Sequence, residues 1–324
     1  MNDIIAVVNL SKHFADVQAV SDLSFNVCKG ELFGFLGPNG AGKTTTINIL
    51  TGLARPDNGT ILIGGMDCSQ KHRAAQHLIG VVPDESNLYP ELTGFDNLCF
   101  CGALYGMPKQ ERQNEAQELL EIFGLKQAAN RKFGGYSKGM KRKLTIAAGI
   151  IHEPQILFLD EPTTGLDVAS ARQLRQLISD LHKNGTTIFL TTHYIEEAQR
   201  LCDRIAFIVS GHIVKIDTVE NLLQPFQEKH IVQIVCADTD EKIQHVVAKS
   251  FPDMNFIFMR KDSIRIEADK PILAGAVVRF LEEQEIEVYE ARRITPSLED
   301  VFVQITGIEA DAMKNEKSGM GGKA

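Results

Sequence analysis

The strongest constraint on the fold is a glycine-rich segment, GPNGAGKT, at residues 37–44. It follows the apolar run LFGFL, which has the composition of a buried strand, and precedes a helical pattern that continues to about Gly52. Because glycine lets the main chain bend tightly, the amide groups of such a segment can converge on phosphate oxygens. The N-terminus of the following helix adds partial positive charge. The segment therefore predicts a strand–loop–helix unit that binds nucleotide phosphates.

The residue types within this loop indicate separate roles. Lys43 can reach the β- and γ-phosphates, and the Thr44 hydroxyl can ligate Mg²⁺. The residues expected to contact the nucleotide are Asn39, Gly40, Ala41, Gly42, Lys43, Thr44 and Thr45. The loop alone does not distinguish kinases, GTPases, helicases and transporters, because one phosphate cradle serves them all.

A second candidate element is the apolar strand ILFLD, which ends in Asp160 and is followed by Glu161. Ligands of open α/β sheets bind at the carboxyl ends of the strands. Asp160 can hold Mg²⁺ directly or through water, and Glu161 can polarise the water that attacks a γ-phosphate. The alternative is an ordinary strand capped by two solvated acids, and the upstream phosphate loop disfavours that alternative.

Strand and helix patterns alternate along the chain, which favours an α/β fold with a mostly parallel sheet. Between about residues 92 and 151 the pattern is helical, which indicates a helical subdomain inserted between two halves of the sheet. Short alternating strands and two helical segments after residue 223 predict a small C-terminal α+β domain. We expect an ATP-binding domain at 1–223, an accessory domain at 224–308 and a disordered tail at 309–324.

Charge and cysteine content exclude other classes of protein. The formal net charge of −8 and the pI of about 5.6 argue against a nucleic-acid partner. The six cysteines form no CxxC pair, so we expect reduced, mostly buried thiols in a cytosolic protein. The start of the sequence lacks the pattern of a signal peptide, and the apolar runs are too short to span a bilayer. A role at a membrane would therefore need a partner.

The order of further motifs resembles that of the ATP-binding-cassette (ABC) ATPases over roughly residues 3–223. The segment YSKGM contains Ser137 and Gly139 and resembles the LSGGQ signature, although two of its residues depart from that form. The segment TTGLD, which ends at Asp167, resembles the D-loop. His193 resembles the switch histidine that contacts the γ-phosphate, and Phe14 the aromatic residue that stacks on adenine. The resemblance implies a P-loop ABC ATPase core that uses ATP and Mg²⁺.

The resemblance also implies a mechanism that needs more than one molecule. In this family two ATPase subunits, identical or homologous, pack head to tail around two ATP molecules. Ser137 and Gly139 would then face the γ-phosphate of ATP bound by the other subunit. An integral-membrane permease subunit would meet the loop after Val82, at the cytoplasmic face of the cell membrane. The segment TPSLEDVF at residues 295–302 resembles the C-terminal segment of ABC-2 type exporter ATPases of the drug and antibiotic efflux group, which favours export.

One residue departs from the family pattern at the predicted metal site. Asp84 stands where the family has a glutamine after the strand IGVV. One hypothesis is that Asp84 takes the place of this glutamine at Mg²⁺ and in coupling to the permease. The alternative is that Asp84 points into solvent and that coupling is altered.

Two other functions stay open at the level of sequence. One is an ABC ATPase without a transporter, although such relatives usually carry two cassettes or a long coiled coil, and this chain has neither feature. The other is a module that closes on ATP without turnover. Loss of Glu161 or His193 would favour that module, and both residues are present.

Overall fold

The computed structural model describes residues 3–69, 71–227, 230–237, 241–260, 262–294 and 297–308. These residues form two compact units, one comprising Met1–Val219 with residues 305–308, and the other comprising Glu220–Gln304. The predicted domain boundary after residue 223 lies close to this division. The predicted tail at 309–324 lies outside the described residues.

The first unit alternates strands and helices along the chain. Its strands are β1 (Asp3–Phe14), β2 (Val17–Cys28), β3 (Leu32–Leu36), β4 (Asn58–Ile63), β5 (Met66–Asp67), β6 (Ile79–Val82), β7 (Ile156–Asp160), β8 (Thr187–Thr192), β9 (Arg204–Val209) and β10 (His212–Thr218). Its helices are α1 (Lys43–Leu50), α2 (His72–Gln76), α3 (Gly94–Leu104), α4 (Lys109–Ile122), α5 (Lys138–Ile150), α6 (Val168–Lys183) and α7 (Ile195–Leu201). Short 3₁₀ turns at Lys126–Ala128 and Phe133–Gly135 lie between α4 and α5.

The central sheet of this unit has the strand order β10-β9-β3-β8-β7-β6 within the described residues. All neighbouring strands run parallel except β10, which pairs antiparallel with β9. The side chains of β3 and β7 are buried on both faces, as expected for a parallel sheet covered by other layers. Because β8 lies between β3 and β7, the carboxyl ends of these three strands meet at one edge.

A smaller antiparallel sheet, in the order β2-β1-β4-β5, packs on the central sheet. Aromatic side chains fill the contact between the two sheets. The ring of Phe25 on β2 stacks on Phe33 of β3, with centroids 5.7 Å apart, and lies 6.0 Å from Phe189 of β8. Each buried phenylalanine contributes about 1.5–3 kcal/mol relative to an exposed one. This core fixes the small sheet beside the phosphate loop.

The region between β6 and β7 is helical, in agreement with the helical subdomain predicted near residues 92–151. Helix α3 begins at an N-cap in which the Thr93 hydroxyl accepts a hydrogen bond from the amide of Asp96 at 3.0 Å. Helix α5 approaches β6 so closely that a methyl group on Gly80 would lie 2.0 Å from the carbonyl oxygen of Gly149. Glycine is therefore required at this contact, which joins the helical region to the sheet.

Several elements were not predicted, for two physical reasons. The helices α2 and α7 have five and seven residues, too few to show a clear 3.6-residue period. Strand β10 is an edge strand whose residues are exposed or half-buried, so it lacks the apolar alternation of a strand that covers a core. The separation of the strands into two sheets also depends on pairing between distant segments, which local patterns do not encode.

The second unit contains the remaining elements, whose first helix begins at the division between the units. They are α8 (Val219–Gln227), β11 (His230–Cys236), α9 (Glu241–Ser250), β12 (Asn255–Arg260), β13 (Ser263–Ala268), α10 (Ala274–Glu283), β14 (Val288–Ile294) and α11 (Leu298–Thr306). The antiparallel sheet has the order β12-β13-β11-β14. With α9 and α10 this is the βαββαβ arrangement of ferredoxin-like domains, in agreement with the predicted α+β class.

The core of the second unit lies between its sheet and two of its helices. Val232 and Ile234 of β11 pack in one buried cluster with Val247 of α9 and with Val277 and Leu281 of α10. The two helices therefore cover one face of the sheet.

In the part of the chain that the structure describes, no helix is both long enough and apolar enough to cross a membrane.

The close contact between α5 and β6 gives a test of the packing. Replacing Gly80 with Ala is expected to lower the free energy of unfolding by about 1–3 kcal/mol, because the added methyl group meets main-chain atoms of Gly149. Urea denaturation would measure the loss. The matched control is Gly135→Ala, whose methyl group would lie 4.0 Å from Nε of Arg131. Equal stability of the two variants would contradict the close approach of α5.

Candidate active site

The phosphate loop runs from the end of β3 to the start of α1, as the sequence predicts. Two of its three glycines, Gly37 and Gly42, are required by close contacts. A methyl group on Gly37 would lie 2.1 Å from the carbonyl oxygen of Ile208. Gly42 has a φ of +102°, and a methyl group there would lie 2.4 Å from the carbonyl oxygen of Ala19. The loop is therefore wedged between β9 and β2, which fixes its path.

Lys43, the first residue of α1, is buried with its ammonium group turned back over the loop. Its Nζ donates hydrogen bonds to the carbonyl oxygens of Gly37 at 2.7 Å and of Pro38 at 3.1 Å. The same Nζ lies 3.2 Å from Oε1 of Glu161, which lies just beyond the end of β7. The two predicted catalytic residues are therefore in direct contact.

Glu161 also contacts His193, which follows β8. Nδ1 of His193 lies 2.7 Å from Oε2 of Glu161. Burial raises the pKa of Glu161, but the hydrogen bond from His193 and the charge of Lys43 outweigh burial and hold the pKa below its usual value. Because an ionised carboxylate only accepts hydrogen bonds, Nδ1 carries the proton in this contact. Lys43, Glu161 and His193 thus form one buried charged cluster.

Asp160 lies beside this cluster and is also buried. The hydroxyl group of Thr191 donates a hydrogen bond to Oδ1 of Asp160, and the Thr44 hydroxyl bonds to the same carboxylate. Burial raises the pKa of Asp160, and these two hydrogen bonds offset only part of the effect. The charges of Glu161 and Asp84 raise it further. Two of the three residues predicted to hold the metal, Thr44 and Asp160, are therefore brought together, and the third, Asp84, acts on Asp160 through its charge.

Two structural features of this site were not predicted from the sequence. Thr191 on β8 bonds to Asp160. Its position is a signal that could have identified it, because it is a polar residue near the end of an apolar strand, and that strand lies beside the strand that carries Asp160. Buried Glu197 accepts hydrogen bonds from Thr163 at 2.9 Å and Thr192 at 3.0 Å, which joins the TTGLD segment to the end of β8. Glu197 lies on a short helix and has no local sequence signature.

Buried Arg142 is a third feature that was not predicted. It lies on α5, and its guanidinium group donates to the main-chain carbonyl oxygens of Asp160 and Asp84. Arg142 is one of three adjacent basic residues in the segment KRKL, and nothing in the sequence distinguishes it from the two lysines beside it. The contact depends on how α5 packs, so it becomes visible only in the folded chain.

The predicted signature and D-loop residues lie elsewhere on the chain. Ser137 is exposed and caps α5 by accepting a hydrogen bond from the amide of Met140 at 3.3 Å. Exposed Asp167 caps α6 through the amide and hydroxyl of Ser170, and these hydrogen bonds lower the pKa of its carboxyl group. A methyl group on Gly139 would lie 2.8 Å from Oγ of Ser170, so the two cap regions are neighbours. Within the described residues, no hydrogen bond or ion pair joins Ser137, Gly139 or Asp167 to the charged cluster. Thr164 of the TTGLD segment does reach it, because its hydroxyl group donates to Oε2 of Glu161 at 3.3 Å.

Phe14 and Asp84 lie at the border of the site. Phe14 ends β1, and its ring is half exposed with Nζ of Lys12 at 5.2 Å from the centroid. It belongs to the β1–β2 hairpin, whose Ala19 contacts the phosphate loop at Gly42. Asp84 is exposed, yet its charge acts on Asp160. Both residues are therefore accessible to a ligand on the loop side of the sheet.

The contact between Thr191 and Asp160 predicts a stability loss that depends on pH. An ionised Asp160 is disfavoured by burial, and the Thr191 hydroxyl relieves part of that penalty. Thr191→Val should therefore lower the free energy of unfolding by about 1–3 kcal/mol where Asp160 is charged, at about pH 8. The loss should shrink as the pH falls and Asp160, whose pKa burial raises above its usual value, takes up a proton. Urea denaturation without nucleotide at about pH 8 and at a mildly acidic pH would measure it.

The matched control for this variant is Thr46→Val. Thr46 is equally buried, but its hydroxyl donates to the carbonyl oxygen of Gly42, which does not titrate in this range. The cost of losing that hydrogen bond should be the same at both pH values. The same pH dependence in both variants would contradict the assignment of the Thr191 effect to Asp160.

Comparison with known proteins places this geometry in a family. A family profile described as "ABC transporter" matches residues 20–164. The linearmycin resistance ATP-binding protein of Bacillus subtilis is 35% identical over 92% of this chain and 97% of its own length. The doxorubicin resistance ATP-binding protein of Mycobacterium tuberculosis is 36% identical over 94% of this chain and 93% of its own length.

A solved structure agrees with these relatives. The dimeric structure of a bacterial ABC transporter cassette is 27% identical and superimposes with a TM-score of 0.61. The superposition covers 66% of this chain and 98% of that cassette. Fold, loop geometry and sequence relatives lead to the same conclusion: the chain belongs to the ATP-binding proteins of ABC transporters, a family that binds and hydrolyses ATP.

Proposed function

We propose that this chain is the ATP-hydrolysing motor subunit of an exporter, and that two ATPase subunits close on Mg²⁺–ATP to drive a membrane permease. The observation that carries the proposal is the buried cluster of Lys43, Glu161 and His193 beside Thr44 and Asp160. It combines a phosphate-binding cation, an ionised base and a pair of oxygen ligands at the end of one sheet.

The oxygen ligands fit Mg²⁺, which favours carboxylate, hydroxyl and water oxygens. Thr44 and Asp160 would hold the ion, with Asp84 at the border of its site. When bound, Mg²⁺ would neutralise charge on the β- and γ-phosphates. The described residues contain no group of three or more His, Cys, Asp or Glu side chains placed to hold a metal alone, so phosphate and water oxygens would complete the coordination. A cation would also stabilise the ionised form of Asp160, which burial disfavours.

The charged cluster supports a defined order of events during catalysis. Without nucleotide, Lys43 is bound to loop carbonyls and paired with Glu161. A triphosphate in the loop would compete for the ammonium group of Lys43 and leave Oε1 of Glu161 free to accept a proton from the attacking water. His193 would keep the carboxylate oriented through Oε2 and could reach the γ-phosphate from the same side. ATP binding would thus prepare the base for hydrolysis.

Dimerisation is supported by two motif residues that are exposed in the single chain. Ser137 and Asp167 are exposed, and their hydrogen bonds in the described residues are made within their own helix caps. The related bacterial cassette has a dimeric structure. In a head-to-tail pair, Ser137 and Gly139 of each subunit would complete the nucleotide site of the other, while Phe14 would stack on the adenine ring. The pair could consist of two identical chains or of two homologous ATPase subunits.

A membrane partner and export are supported by the relatives and by one apolar surface. Two relatives are named as resistance proteins for linearmycin and doxorubicin, and others as Nod factor export proteins. Tyr89 and Phe100 are partly exposed and pack edge to face at 5.2 Å, near the exposed side chain of Leu104. We assign this patch, which includes the loop after β6, to the permease at the cytoplasmic face of the membrane. The acidic net charge argues against a nucleic-acid partner.

Blocking the base should separate ATP binding from turnover. Glu161→Gln is expected to reduce the rate of phosphate release by at least about 100-fold, because the amide cannot take a proton from water. The variant should still bind ATP and should accumulate as a dimer with Mg²⁺–ATP. Phosphate release and analytical ultracentrifugation would measure the two effects.

Two variants control this experiment. Glu196→Gln changes an exposed glutamate on α7 and should leave both turnover and assembly unchanged. Glu161→Gln combined with Ser137→Arg should bind ATP but stay monomeric. A wild-type protein that binds ATP and never releases phosphate would favour a binding module without turnover. An ATPase that never co-purifies with a permease would favour a non-transport ATPase.

The role of Asp84 can be tested separately. We propose that Asp84 takes the place of the family glutamine beside the metal and in coupling to the permease. Asp84→Gln should then change the permease-stimulated ATPase rate by several-fold, since the substitution removes a charge that acts on Asp160. The matched control is Glu85→Gln, which removes a neighbouring exposed charge. An unchanged stimulated rate in Asp84→Gln would show that the acid has no specific role.

A further inference from the structure

The buried side chain of Arg142 binds main-chain oxygens from two separate segments. Its Nε donates to the carbonyl oxygen of Pro162 at 2.8 Å, and Nη2 donates to that of Asp160 at 2.6 Å. Its Nη1 donates to the carbonyl oxygens of Pro83 and of Asp84, the latter at 3.0 Å. Burial lowers the pKa of Arg142, while the acidic side chains around it raise it in part. The planar guanidinium group thus bridges the end of β7 and the loop after β6.

The contacts at the end of β7 lie on either side of Glu161, the residue proposed as the base. Asp160 and Pro162 are the two neighbours of Glu161, so Arg142 holds the main chain on both sides of it. Glu161 has a φ of +47°, in the left-handed region that residues other than glycine rarely adopt. Such a conformation persists only where the surroundings impose it. The amide of Glu161 is bound by Thr191, and the carbonyl groups on either side are bound by Arg142.

The contacts to the other segment connect the base to the surface assigned to the permease. Arg142 and Thr145 lie almost one turn apart on α5. The Thr145 hydroxyl donates to Oγ of Ser86 at 2.8 Å, two residues beyond Asp84. Ser137, the residue proposed to face the second ATP, is the N-cap of helix α5. One rigid helix therefore joins Ser137, the loop after β6 and the main chain around Glu161.

We infer that Arg142 is a positioning residue for hydrolysis: it fixes the main chain of Glu161 in its left-handed conformation and so aims the base. The inference rests on the proposed function, because it assigns Arg142 a role through Glu161. Arg142 does not touch the phosphate loop in the described hydrogen bonds, so its loss should affect turnover much more than ATP affinity. A lysine should not replace it, since one ammonium group cannot span the carbonyl oxygens on both sides of Glu161.

The test compares turnover with ATP affinity in the full-length chain. Arg142→Gln and Arg142→Lys should each lower kcat by about 10- to 100-fold, the size of effect expected from a small misplacement of a catalytic group. The dissociation constant for ATP, measured by equilibrium binding, should stay within about twofold of the wild-type value, because the phosphate loop is not altered. The matched control is Lys143→Gln, which removes the next basic residue of α5, bound only to Gln173 at the surface, and should leave kcat unchanged.

A double-mutant cycle separates positioning from a general structural role. Because Arg142 acts through Glu161, adding Arg142→Gln to Glu161→Gln should not lower the residual rate further. Additive losses would overturn the inference, and so would wild-type kcat in both Arg142 variants. If Arg142→Gln does not fold, Arg142→Lys carries the test, since it keeps the buried stem and the charge. A parallel loss of ATP affinity and kcat in that variant would show a structural role and would also overturn the inference.

The same experiment distinguishes failure of the inference from failure of the proposed function. The proposed function requires that the wild-type protein releases phosphate and that Glu161→Gln abolishes release. If either requirement fails, the assignment of Glu161 as the base is wrong, whatever the Arg142 variants do. If both hold and the Arg142 variants turn over normally, only the positioning role is wrong.

Discussion

The ion pair between Lys43 and Glu161 is the interaction on which the rest of the site depends. Both side chains are nearly inaccessible to water, and their charged atoms lie 3.2 Å apart. A buried charge without a partner would cost several kcal/mol, so each residue makes the other tolerable in this position. The pairing also requires that the ends of β3 and β7 lie one strand apart, with β8 between them. The order of strands in the central sheet is therefore a condition for the chemistry.

The ion pair also explains why the site is suited to a nucleotide. Lys43 donates hydrogen bonds to two loop carbonyls, and its ammonium group lies beside Oε1 of Glu161. A triphosphate brings several negative oxygens that satisfy an ammonium group better than carbonyl oxygens do. On the proposed mechanism, the carboxylate would then become available to water, while His193 would keep its contact with Oε2. ATP binding and activation of the base would follow from this one exchange of partners.

The parts of this site that the sequence predicts are those with fixed local spacing. The phosphate loop, the carboxylate strand and His193 lie at strand ends, and parallel strands bring their carboxyl ends to one edge of a sheet. Thr191 and Arg142 have no such spacing, because their roles depend on which strand or helix packs beside β7. The roles of Ser137 and Asp167 are predicted only through resemblance to a family with a second subunit, and in the structure both side chains are exposed. Composition and periodicity carry no information about that subunit.

The C-terminal motif TPSLEDVF shows a different relation between sequence and structure. It resembles a segment of a known family, and its residues hold a helix in place. Within TPSLEDVF, Ser297 and Asp300 bond to each other across the start of α11, with distances of 2.9 and 3.0 Å. Asp300 also pairs with Arg265 of β13 at 2.8 Å. Burial raises the pKa of Asp300, but the hydrogen bonds from Arg265 and Ser297 outweigh it and hold the pKa below its usual value. The charged, capped Asp300 therefore anchors α11 to the sheet of the second unit.

The apolar residues of the same motif complete the anchor. Leu298, Val301 and Phe302 are buried, and they lie at the spacing of one helix face. The described residues of the motif other than Glu299 are thus accounted for by capping, pairing or burial. The motif thus fastens the last described helix to the second unit. On the proposed function, the contact with the permease falls to the loop after β6, which Arg142 and Thr145 connect to helix α5.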